Sequence, residues 1–461
     1  MTYQDFLHKK QVSVQSAGFD IDICELNKNL FEWQAKIVRW ALKKGRCALF
    51  EECGLGKTIQ QLAWADAICR NEGGCVLILA PLAVSEQTKR EGAHFGIEVT
   101  ICESAADVRA GINITNYEKL EKFDTSAFIG VVLDESSILK NSMGRVKRQI
   151  IEAFKFTKYK LACSATPAPN DYAELGSHTE FLGIMSQAEM LATYFTHDGG
   201  NTSKWRLKGH AQEKFWEWIS EWAFVLDNPA AFGINAKDYI LPPLNVIEKI
   251  AETENCIKDN QMMMFAPEVQ TLSERREARS ASLEDRVKIA CDIANQSKEQ
   301  WLIWCDYNIE SEKLKKGIPD AVEVKGADTP EHKTNAMIGF SDGNIRVLIS
   351  KPSICGFGMN WQNCHNMIFV GIADSFERYY QAIRRCHRFG QREQVNVYII
   401  ISEGEMNIKD NVNQKQSDAS EFVSKTTKYS IAKIESETES TVRITEEYKT
   451  KQKVEVPLWI A

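Results

Sequence analysis

The chain has 461 residues, of which 44% are hydrophobic and 26% charged, and its formal net charge is −7. This composition is typical of a folded globular protein, and the length predicts two or three domains rather than one core. The acidic balance excludes a chain coated with positive charge, although a local basic groove remains compatible with it. No apolar run reaches the about 20 residues that a membrane span needs.

The cysteines predict a reducing compartment. The chain has 13 of them, and none forms a C-x-x-C pair. The amino terminus lacks the apolar core of a signal peptide, so these thiols indicate a cytoplasmic protein rather than a disulfide framework. Cys364-His365 has no second pair of ligands, and no zinc site is expected.

Two series of short apolar runs, each alternating with helical stretches, predict strands buried on both faces. The first series comprises Cys47–Phe50, Val76–Ala80, Val99–Cys102, Ile112–Thr115, Gly130–Leu133 and Lys160–Cys163. The second comprises Trp301–Cys305, Val322–Val324, Arg346–Ser350, Met367–Val370 and Val395–Ile401. The predicted fold class is α/β, with two tandem doubly wound parallel-sheet lobes.

The predicted domains are an N-terminal lobe over 1–182, a helical insertion over 183–245, a second lobe over 246–402 and a polar tail over 403–461. The insertion contains four tryptophans, Trp205, Trp216, Trp218 and Trp222. Phe215, Trp218, Ile219 and Trp222 recur at helical spacing, which predicts one apolar face and favours a core role over a base-stacking platform. The tail is rich in Lys, Glu, Ser and Thr, and is expected to be an exposed helix or partly disordered.

A glycine-rich turn, E-E-C-G-L-G-K-T, runs from Glu51 to Thr58 between a predicted strand and a predicted helix. That context is the one a phosphate-binding loop requires, because backbone N–H groups and the helix start attract phosphate oxygens. The nucleotide-binding candidates are Gly54, Leu55, Gly56, Lys57 and Thr58. Lys57 is expected on the β- and γ-phosphates, and the Thr58 hydroxyl on Mg²⁺.

Two adjacent carboxylates end a later strand of the same lobe. Val131-Val132-Leu133 leads directly into Asp134 and Glu135. Asp134 is expected to hold Mg²⁺, and Glu135 to orient and deprotonate the attacking water. Ser164 and Thr166 follow another strand and are expected to sense this site.

An arginine cluster lies in the second lobe. Gln381 to Gln391 reads Q-A-I-R-R-C-H-R-F-G-Q, directly after Tyr379 and Tyr380. Arginine stays charged in proteins, so such a cluster faces solvent or an anion. Together with the phosphate-binding loop, it predicts an NTPase whose site closes between two lobes.

The order of these segments resembles the superfamily-two helicases, and in particular the Swi/Snf-like translocases of double-stranded DNA. Trp33-Gln34 matches the aromatic and the adenine-reading glutamine of that family, and Glu51 matches the acidic residue of its phosphate-binding loop. The other matching segments are Ala80-Pro81-Leu82, Ile114-Thr115-Asn116-Tyr117, Lys140-Asn141, Ser164-Ala165-Thr166-Pro167, Gly356-Phe357-Gly358-Met359-Asn360 and Gln381 to Gln391. The resemblance extends from about Leu30 to Ile401.

The resemblance implies two RecA-like lobes and an ATPase, dependent on DNA and Mg²⁺, that moves along duplex DNA with low sequence specificity. The implied catalytic residues are Lys57, Asp134, Glu135, Arg385 and Arg388. The implied nucleotide contacts are Gln34, Gly54, Leu55, Gly56, Lys57, Thr58, Gly358 and Gln381, and Thr58 and Asp134 are the metal ligands. The implied nucleic-acid contacts are Pro81, Thr115, Asn116, Lys351 and Gly356.

Two positions depart from the family pattern. Ser136-Ser137 stands where a small residue and a histidine usually follow the acidic pair, and Arg384 replaces a usual small residue. The segments W-R-L-K-x-H and F-W-E-W resemble compact phage and prophage members, which implies the cytoplasm of a bacterial or infected cell. No nuclease, methyltransferase or zinc module is recognisable, so any partner activity is expected from a separate protein chain.

Alternatives remain for the activity and for one charged segment. One alternative to a duplex-DNA translocase is an RNA-directed or strand-separating helicase of the same superfamily. The other is a nucleic-acid-binding scaffold with weak ATPase activity. His387 and the residues after it favour the DNA-translocase branch. The charged segment contains four arginines, Arg275, Arg276, Arg279 and Arg286. They are expected either to contact phosphate or to belong to a solvated linker helix.

Overall fold

The structure is a computed structural model. It describes residues 16–81, 84–140, 144–198, 201–251, 257–258, 261–262, 279–356, 359–373, 375–402 and 405–439. Within these ranges the predicted architecture is confirmed, because the chain forms two α/β lobes, each built on a parallel sheet.

The first lobe is built on a seven-stranded sheet whose neighbouring strands all pair in parallel. The strands of this half of the chain are β1 (Arg46–Glu51), β2 (Cys75–Ala80), β3 (Val99–Ile101), β4 (Gly111–Asn116), β5 (Phe128–Asp134), β6 (Tyr159–Cys163), β7 (Phe195–Asp198), β8 (Asn201–Leu207) and β9 (Ala223–Leu226). The order in the sheet is β3-β4-β2-β5-β6-β1-β9, and β7 and β8 form a separate antiparallel hairpin.

Helices cover both faces of the first sheet. They are α1 (Glu32–Lys44), α2 (Lys57–Ile68), α3 (Ser85–His94), α4 (Arg145–Ala153), α5 (Leu175–Leu182), α6 (Gln187–Tyr194) and α7 (Gln212–Ser220). One buried cluster joins Trp40 and Trp64 to Ile78, and the other joins Phe181 to Leu77. Alternate strand residues therefore enter two separate cores, which explains the near-continuous apolar runs in the sequence.

The segment predicted as an insertion belongs in part to the first lobe. Its strand β9 pairs in parallel with β1, from Ala48 opposite Ala223 to Glu51 opposite Leu226. It also contains the hairpin β7–β8, so the segment is not purely helical. The prediction overlooked β9 because its four residues follow the tryptophan-rich helix without a turn signal. The domain bounds remain predictions. Residues 183–245 do not all form a separate unit, because β9 is part of the first sheet.

The tryptophans of this segment pack mainly in the core. Trp216, Trp218 and Trp222 are buried, and the Trp218 ring stacks on Tyr194 with 5.0 Å between ring centroids. Trp205 differs, because it is half-buried and lies against His197, 3.9 Å between ring centroids. The preference for a core role is therefore confirmed for the α7 tryptophans.

Trp218→Ala is expected to lower the free energy of unfolding by roughly 3–5 kcal/mol, because it removes a large buried ring from a packed cluster. Denaturant unfolding measures the loss, with Trp205→Ala as the half-buried control that is expected to lose less. Unchanged stability of Trp218→Ala together with a lost response to DNA would contradict the core assignment.

The second lobe has a six-stranded parallel sheet in the order β10-β17-β16-β13-β15-β14. The strands are β10 (Leu244–Ala251), β11 (Ile257–Lys258), β12 (Gln261–Met262), β13 (Trp301–Trp304), β14 (Ala321–Val324), β15 (Val347–Ser350), β16 (Asn366–Val370) and β17 (Val395–Ser402), of which β11 and β12 form a two-stranded antiparallel sheet. The helices are α8 (Leu283–Asn295), α9 (Asn308–Gly317), α10 (Pro330–Ser341), α11 (Pro352–Cys355), α12 (Phe376–Ile383) and α13 (Met406–Ile434). Strand β10 begins directly after the Pro242-Pro243 exit.

Arg279 and Arg286, the two described arginines of the charged segment, neither contact phosphate nor lie on a solvated helix. Arg279 and Arg286 are both buried. Arg286 Nη1 lies 2.9 Å from Glu310 Oε1, and Arg279 Nη1 lies 3.0 Å from Asp306 Oδ2. Both guanidinium groups also donate to the carbonyl of Val370. Both interpretations of Arg279 and Arg286, as phosphate contacts and as part of a solvated helix, are wrong, because carboxylates neutralise their charges inside the second lobe. Arg275 and Arg276 lie outside the described residues.

The tail begins as one long helix that returns to the first lobe. Phe422 and Thr426 of α13 are buried, and the Ser430 hydroxyl accepts from the Val225 N–H of the edge strand β9 at 3.2 Å. Tyr172 donates to the carbonyl of Asp418 at 2.8 Å. The helix therefore covers the open edge of the first sheet while remaining covalently continuous with the second. Of the two expectations for the tail, a helix is observed over α13, but the expectation that it is exposed was wrong, because one of its faces is buried against the first lobe.

Candidate nucleotide site between the lobes

The predicted catalytic segments of the first lobe meet at one edge of its sheet. The phosphate-binding loop follows β1, the Ser164 segment follows β6, and Asp134 ends β5. These strands are neighbours in the order β5-β6-β1, and all are parallel. Their carboxyl ends therefore lie side by side, at the kind of crevice where open α/β sheets bind ligands.

The loop after β1 has the backbone of an anion-binding turn. Gly54 and Gly56 have φ values of 90° and 80°, a region that side chains other than glycine rarely adopt. Helix α2 begins at Lys57, so its first N–H groups and its dipole face the loop. Lys57 Nζ donates to the carbonyls of Glu51 and Glu52 at 2.8 and 3.1 Å. The ammonium group is thus held inside the loop that the sequence predicts for phosphates.

The Gln34 side chain is hydrogen-bonded to the backbone of this loop. Its Nε2 donates to the Leu55 carbonyl at 2.8 Å, and its Oε1 accepts from the Phe31 N–H at 3.0 Å. A methyl group added to Gly56 would lie 2.4 Å from Gln34 Nε2. The carboxamide is buried and engaged with the protein at both ends, so its observed contacts are those of a brace for the loop.

The acidic pair is held by groups on two other elements. Asp134 Oδ1 accepts from Gln61 Nε2 at 2.8 Å, and the Asp134 carbonyl accepts from the Tyr117 hydroxyl at 2.6 Å. Thr58 lies one helical turn before Gln61, on the same face of α2. Burial raises the pKa of Asp134. The metal-ligand candidates Thr58 and Asp134 therefore lie on facing elements.

Glu135 has an unusual backbone and an unusual environment. Its φ of 56° is the single positive value of a residue other than glycine in the described ranges. Burial, and then the charge of Asp134, raises the pKa of Glu135 to about 7. Backbone strain and a shifted carboxyl group are features that cluster at functional sites.

His178 of α5 contacts Ser136, the first of the two serines that follow the acidic pair. Ser136 Oγ and His178 Nε2 are 3.0 Å apart, and both residues are buried. Burial lowers the pKa of His178 to about 4, so the ring is neutral at physiological pH. The ring also meets Phe50 edge-on at 5.2 Å between centroids. A buried imidazole from α5 therefore contacts the residue that follows the acidic pair.

The segment after β6 is buried beside the loop. The Thr166 N–H donates to Ser164 Oγ at 3.0 Å, and both residues are buried. No hydrogen-bond partner of the buried Thr166 hydroxyl is found within the part of the chain that the structure describes.

The second lobe reaches this site through the arginine cluster. Gln381 Nε2 donates to Glu135 Oε2 at 3.3 Å. A methyl group added to Gly54 would lie 3.1 Å from the backbone nitrogen of Phe389 and 3.8 Å from Arg388 Cβ. The cluster therefore stands directly across from the phosphate-binding loop.

The two presumed arginine fingers differ in their contacts. Arg385 is buried, and it donates to the carbonyls of Gln381 and Met359 at 2.9 and 3.2 Å. Arg388 is half-buried. Burial, and then the charge of Arg385, lowers the pKa of Arg388 to about 10. A positive group packed against another positive group is suited to an added anion.

The predicted nucleic-acid contacts follow strand ends but are unequally accessible. Pro81 follows β2, and Lys351 follows β15; both are half-buried. Thr115 is 1% exposed, and the Asn116 side chain accepts from the Lys119 N–H. Gly356 is also buried. Pro81 and Lys351 are therefore the more accessible of these positions, whereas Thr115 and Gly356 are buried. Gly358, Leu82 and Asn141 lie outside the described residues.

The sequence prediction gave no role to two residues that hold the acidic pair, Gln61 and Tyr117. The three-residue spacing from Thr58 to Gln61 was an available signal, because it places both on one face of a helix. Tyr117 had no such signal, since its hydroxyl reaches a backbone carbonyl of another strand.

Comparisons with known proteins match both lobes. A family model described as an SNF2-related domain matches residues 32–198, and one described as a helicase conserved C-terminal domain matches residues 285–390. A Xenopus laevis "SWI/SNF-related matrix-associated actin-dependent regulator of chromatin subfamily A-like protein 1" is 23% identical, covering 84% of this chain and 43% of its own length. An uncharacterized ATP-dependent helicase of Bacillus subtilis is 23% identical, covering 77% of this chain and 72% of its own length.

Among solved structures, the Sulfolobus solfataricus SWI2/SNF2 ATPase core in complex with dsDNA covers 89% of this chain and 96% of its own. Its sequence identity is 18% and its TM-score 0.43.

Each of the two parallel-sheet lobes matches one model, the first an SNF2-related domain and the second a helicase conserved C-terminal domain. The SNF2-related model spans the phosphate-binding loop and the acidic pair, so this part of the chain is similar to the SNF2-related proteins. The chain spans 43% of the length of the Xenopus laevis relative. The resemblance to phage-type members remains a prediction. Within the described residues, no helix has the length and apolar character to cross a membrane.

Proposed function

We propose that this chain is a DNA-dependent ATPase that couples closure of its two lobes to movement along duplex DNA. The observation that carries the proposal is the contact of Gln381 with Glu135, together with the packing of Phe389 against Gly54. These contacts bring the arginine cluster of one lobe to the phosphate-binding loop and acidic pair of the other. A hydrolytic site divided between two lobes makes ATP binding and lobe closure one coupled event.

The proposed chemistry divides among residues of the first lobe. Backbone N–H groups of the Gly54–Gly56 turn and the start of α2 would cradle the phosphates, and Lys57 would bind the β- and γ-phosphates. Glu135 would accept a proton from the attacking water, a role suited to a carboxylate whose pKa is raised to about 7. Arg388, with Arg385, would stabilise the charge that develops on the transferred phosphoryl group.

The residues present fit a magnesium ion. Mg²⁺ is commonly bound through one or two carboxylates, substrate phosphates and water, and Asp134 faces the Thr58 turn of α2. Gln61 occupies Oδ1 of Asp134 and holds the carboxylate in place. Thr58 and Asp134 would hold the ion, which would neutralise charge on the phosphates.

The proposed grip on DNA is through phosphates. Pro81 and Lys351 follow strands of different lobes, and each lies at the carboxyl edge of its sheet. The Lys351 ammonium would bind phosphate oxygens without reading bases, whereas Pro81, which has no N–H, would contact the DNA backbone by packing alone. Such contacts suit a motor of low sequence specificity. Thr115, Asn116 and Gly356 would support the backbone at those edges.

ATP hydrolysis is expected to be stimulated more by duplex DNA than by single strands, forked DNA or RNA. The same protein is expected to displace a third, triplex-forming strand, because tracking along a duplex does not require its strands to separate. Stimulation should weaken steeply between about 50 and 200 mM salt, since the grip is on phosphates. Phosphate release in parallel assays measures the ATPase, and a labelled third strand measures displacement.

Lys57→Ala serves as the control for contaminating ATPase in these assays. Robust unwinding of a forked duplex with no triplex displacement would assign the chain to the strand-separating helicases. Stimulation by RNA alone would favour the RNA-directed alternative. DNA binding without ATP turnover would make it a scaffold.

A further inference from the structure

One ion pair joins the phosphate-binding loop to the arginine cluster. Arg384 Nη2 lies 3.2 Å from Glu52 Oε2, and the Tyr380 hydroxyl donates to the same carboxylate oxygen. The Arg384 guanidinium also lies over the Tyr380 ring, 5.1 Å from its centroid. Glu52 belongs to the first lobe, whereas Arg384 and Tyr380 belong to the second. The pair therefore spans the boundary at which the site closes.

The pair is largely removed from water. The side chains of Arg384 and Glu52 are 17% and 20% exposed. Burial disfavours the charge of Arg384, and yet the adjacent Glu52 carboxylate raises the pKa of Arg384 above its ordinary value. Truncation of one partner of a buried, hydrogen-bonded charge pair is costly because the other charge is left uncompensated.

The same arginine is tied to the segment that connects the lobes. Arg384 Nη1 contacts His387, at 3.1 Å from Nδ1 and 3.2 Å from the carbonyl oxygen. The other ring nitrogen of His387 lies 2.8 Å from the Pro242 carbonyl. Because Nε2 donates to that carbonyl, Nδ1 of the neutral ring accepts from Arg384. Tyr239, three residues before Pro242, packs on Phe389 with 4.8 Å between ring centroids.

We propose that Glu52, Arg384 and Tyr380 form an inter-lobe latch that positions the arginine fingers for ATP hydrolysis. Arg384 immediately precedes Arg385, and Glu52 lies two residues before Gly54. A contact between them fixes the distance from the finger segment to the phosphate-binding loop. A small side chain at position 384 would not reach Glu52, so the contact requires a residue as long as arginine. The latch residues are positioning residues, and the inference rests on the proposed ATPase.

A double-mutant cycle tests the latch. Glu52→Gln and Arg384→Gln are each expected to lower kcat about tenfold, within the range that coupled neighbours show, and to leave the KM for ATP within about twofold. The double variant is expected to lose no more than either single variant, because both remove one interaction. Losses that multiply in the double variant would overturn the latch.

Hydrogen exchange without nucleotide gives a readout that does not depend on hydrolysis. Each single variant is expected to raise amide exchange in both 52–56 and 380–391, although these peptides belong to different lobes. Faster exchange confined to the mutated lobe would overturn the proposal. The controls are Glu72→Gln, which loses contacts to Lys158 and Tyr159, and Arg346→Gln, which loses a contact to Asp320. Neither control removes a contact between the lobes, so neither is expected to change exchange across the boundary. If the wild-type protein hydrolyses no ATP, the proposed function fails while the exchange experiment still decides the latch.

Discussion

Arg388→Ala is expected to slow ATP hydrolysis by about 10³–10⁵-fold and to leave ATP affinity of the open form nearly unchanged. The reason is that Arg388 stands beside Gly54, and burial and the charge of Arg385 lower the pKa of Arg388 to about 10. A cation in that position stabilises the transition state more than the bound substrate, because negative charge develops on the phosphoryl group. Single-turnover hydrolysis and nucleotide binding, measured separately, distinguish the two effects.

The neighbouring arginine provides the comparison. Arg385 already donates to the carbonyls of Gln381 and Met359, so Arg385→Ala is expected to disturb the finger segment as well as its charge. A loss of only a few-fold in Arg388→Ala would mean that Arg385 or Arg384 is the true finger.

Glu135→Gln is expected to bind ATP and to hydrolyse it about 10²–10⁴-fold more slowly, because an amide cannot accept the proton of the attacking water. Lys57→Ala is expected to abolish turnover by removing the cation of the phosphate-binding loop. Fluorescent-nucleotide binding separates the two variants, since Glu135→Gln retains the cation of the loop and Lys57→Ala does not. Near wild-type turnover in Glu135→Gln would show that the acidic pair is assigned wrongly.

The fold was predictable to the extent that its signals are local. Apolar runs such as Val76–Ala80 and Met367–Val370 are buried on both faces, and their pattern identified parallel strands directly. Strand β9 was overlooked, because nothing within its four residues indicates that it pairs with β1. Arg279 and Arg286 were misread for a similar reason. Their neutralising partners Glu310 and Asp306 are distant in sequence, and a charged helix looks the same whether it is solvated or buried.

The candidate site divides in the same way. A strand, a glycine turn and a helix start occupy consecutive residues, so local signals were enough to predict the phosphate-binding loop around Lys57. The acidic pair at Asp134 was predictable in the same way, because it directly follows a buried strand. The contacts of Gln34 with the loop, of His178 with Ser136 and of Glu52 with Arg384 became visible only in the folded chain. The physical reason is that a side-chain contact depends on which elements the fold makes neighbours. Glu52 and Arg384 meet across two lobes because both lobes place their loops at the same cleft.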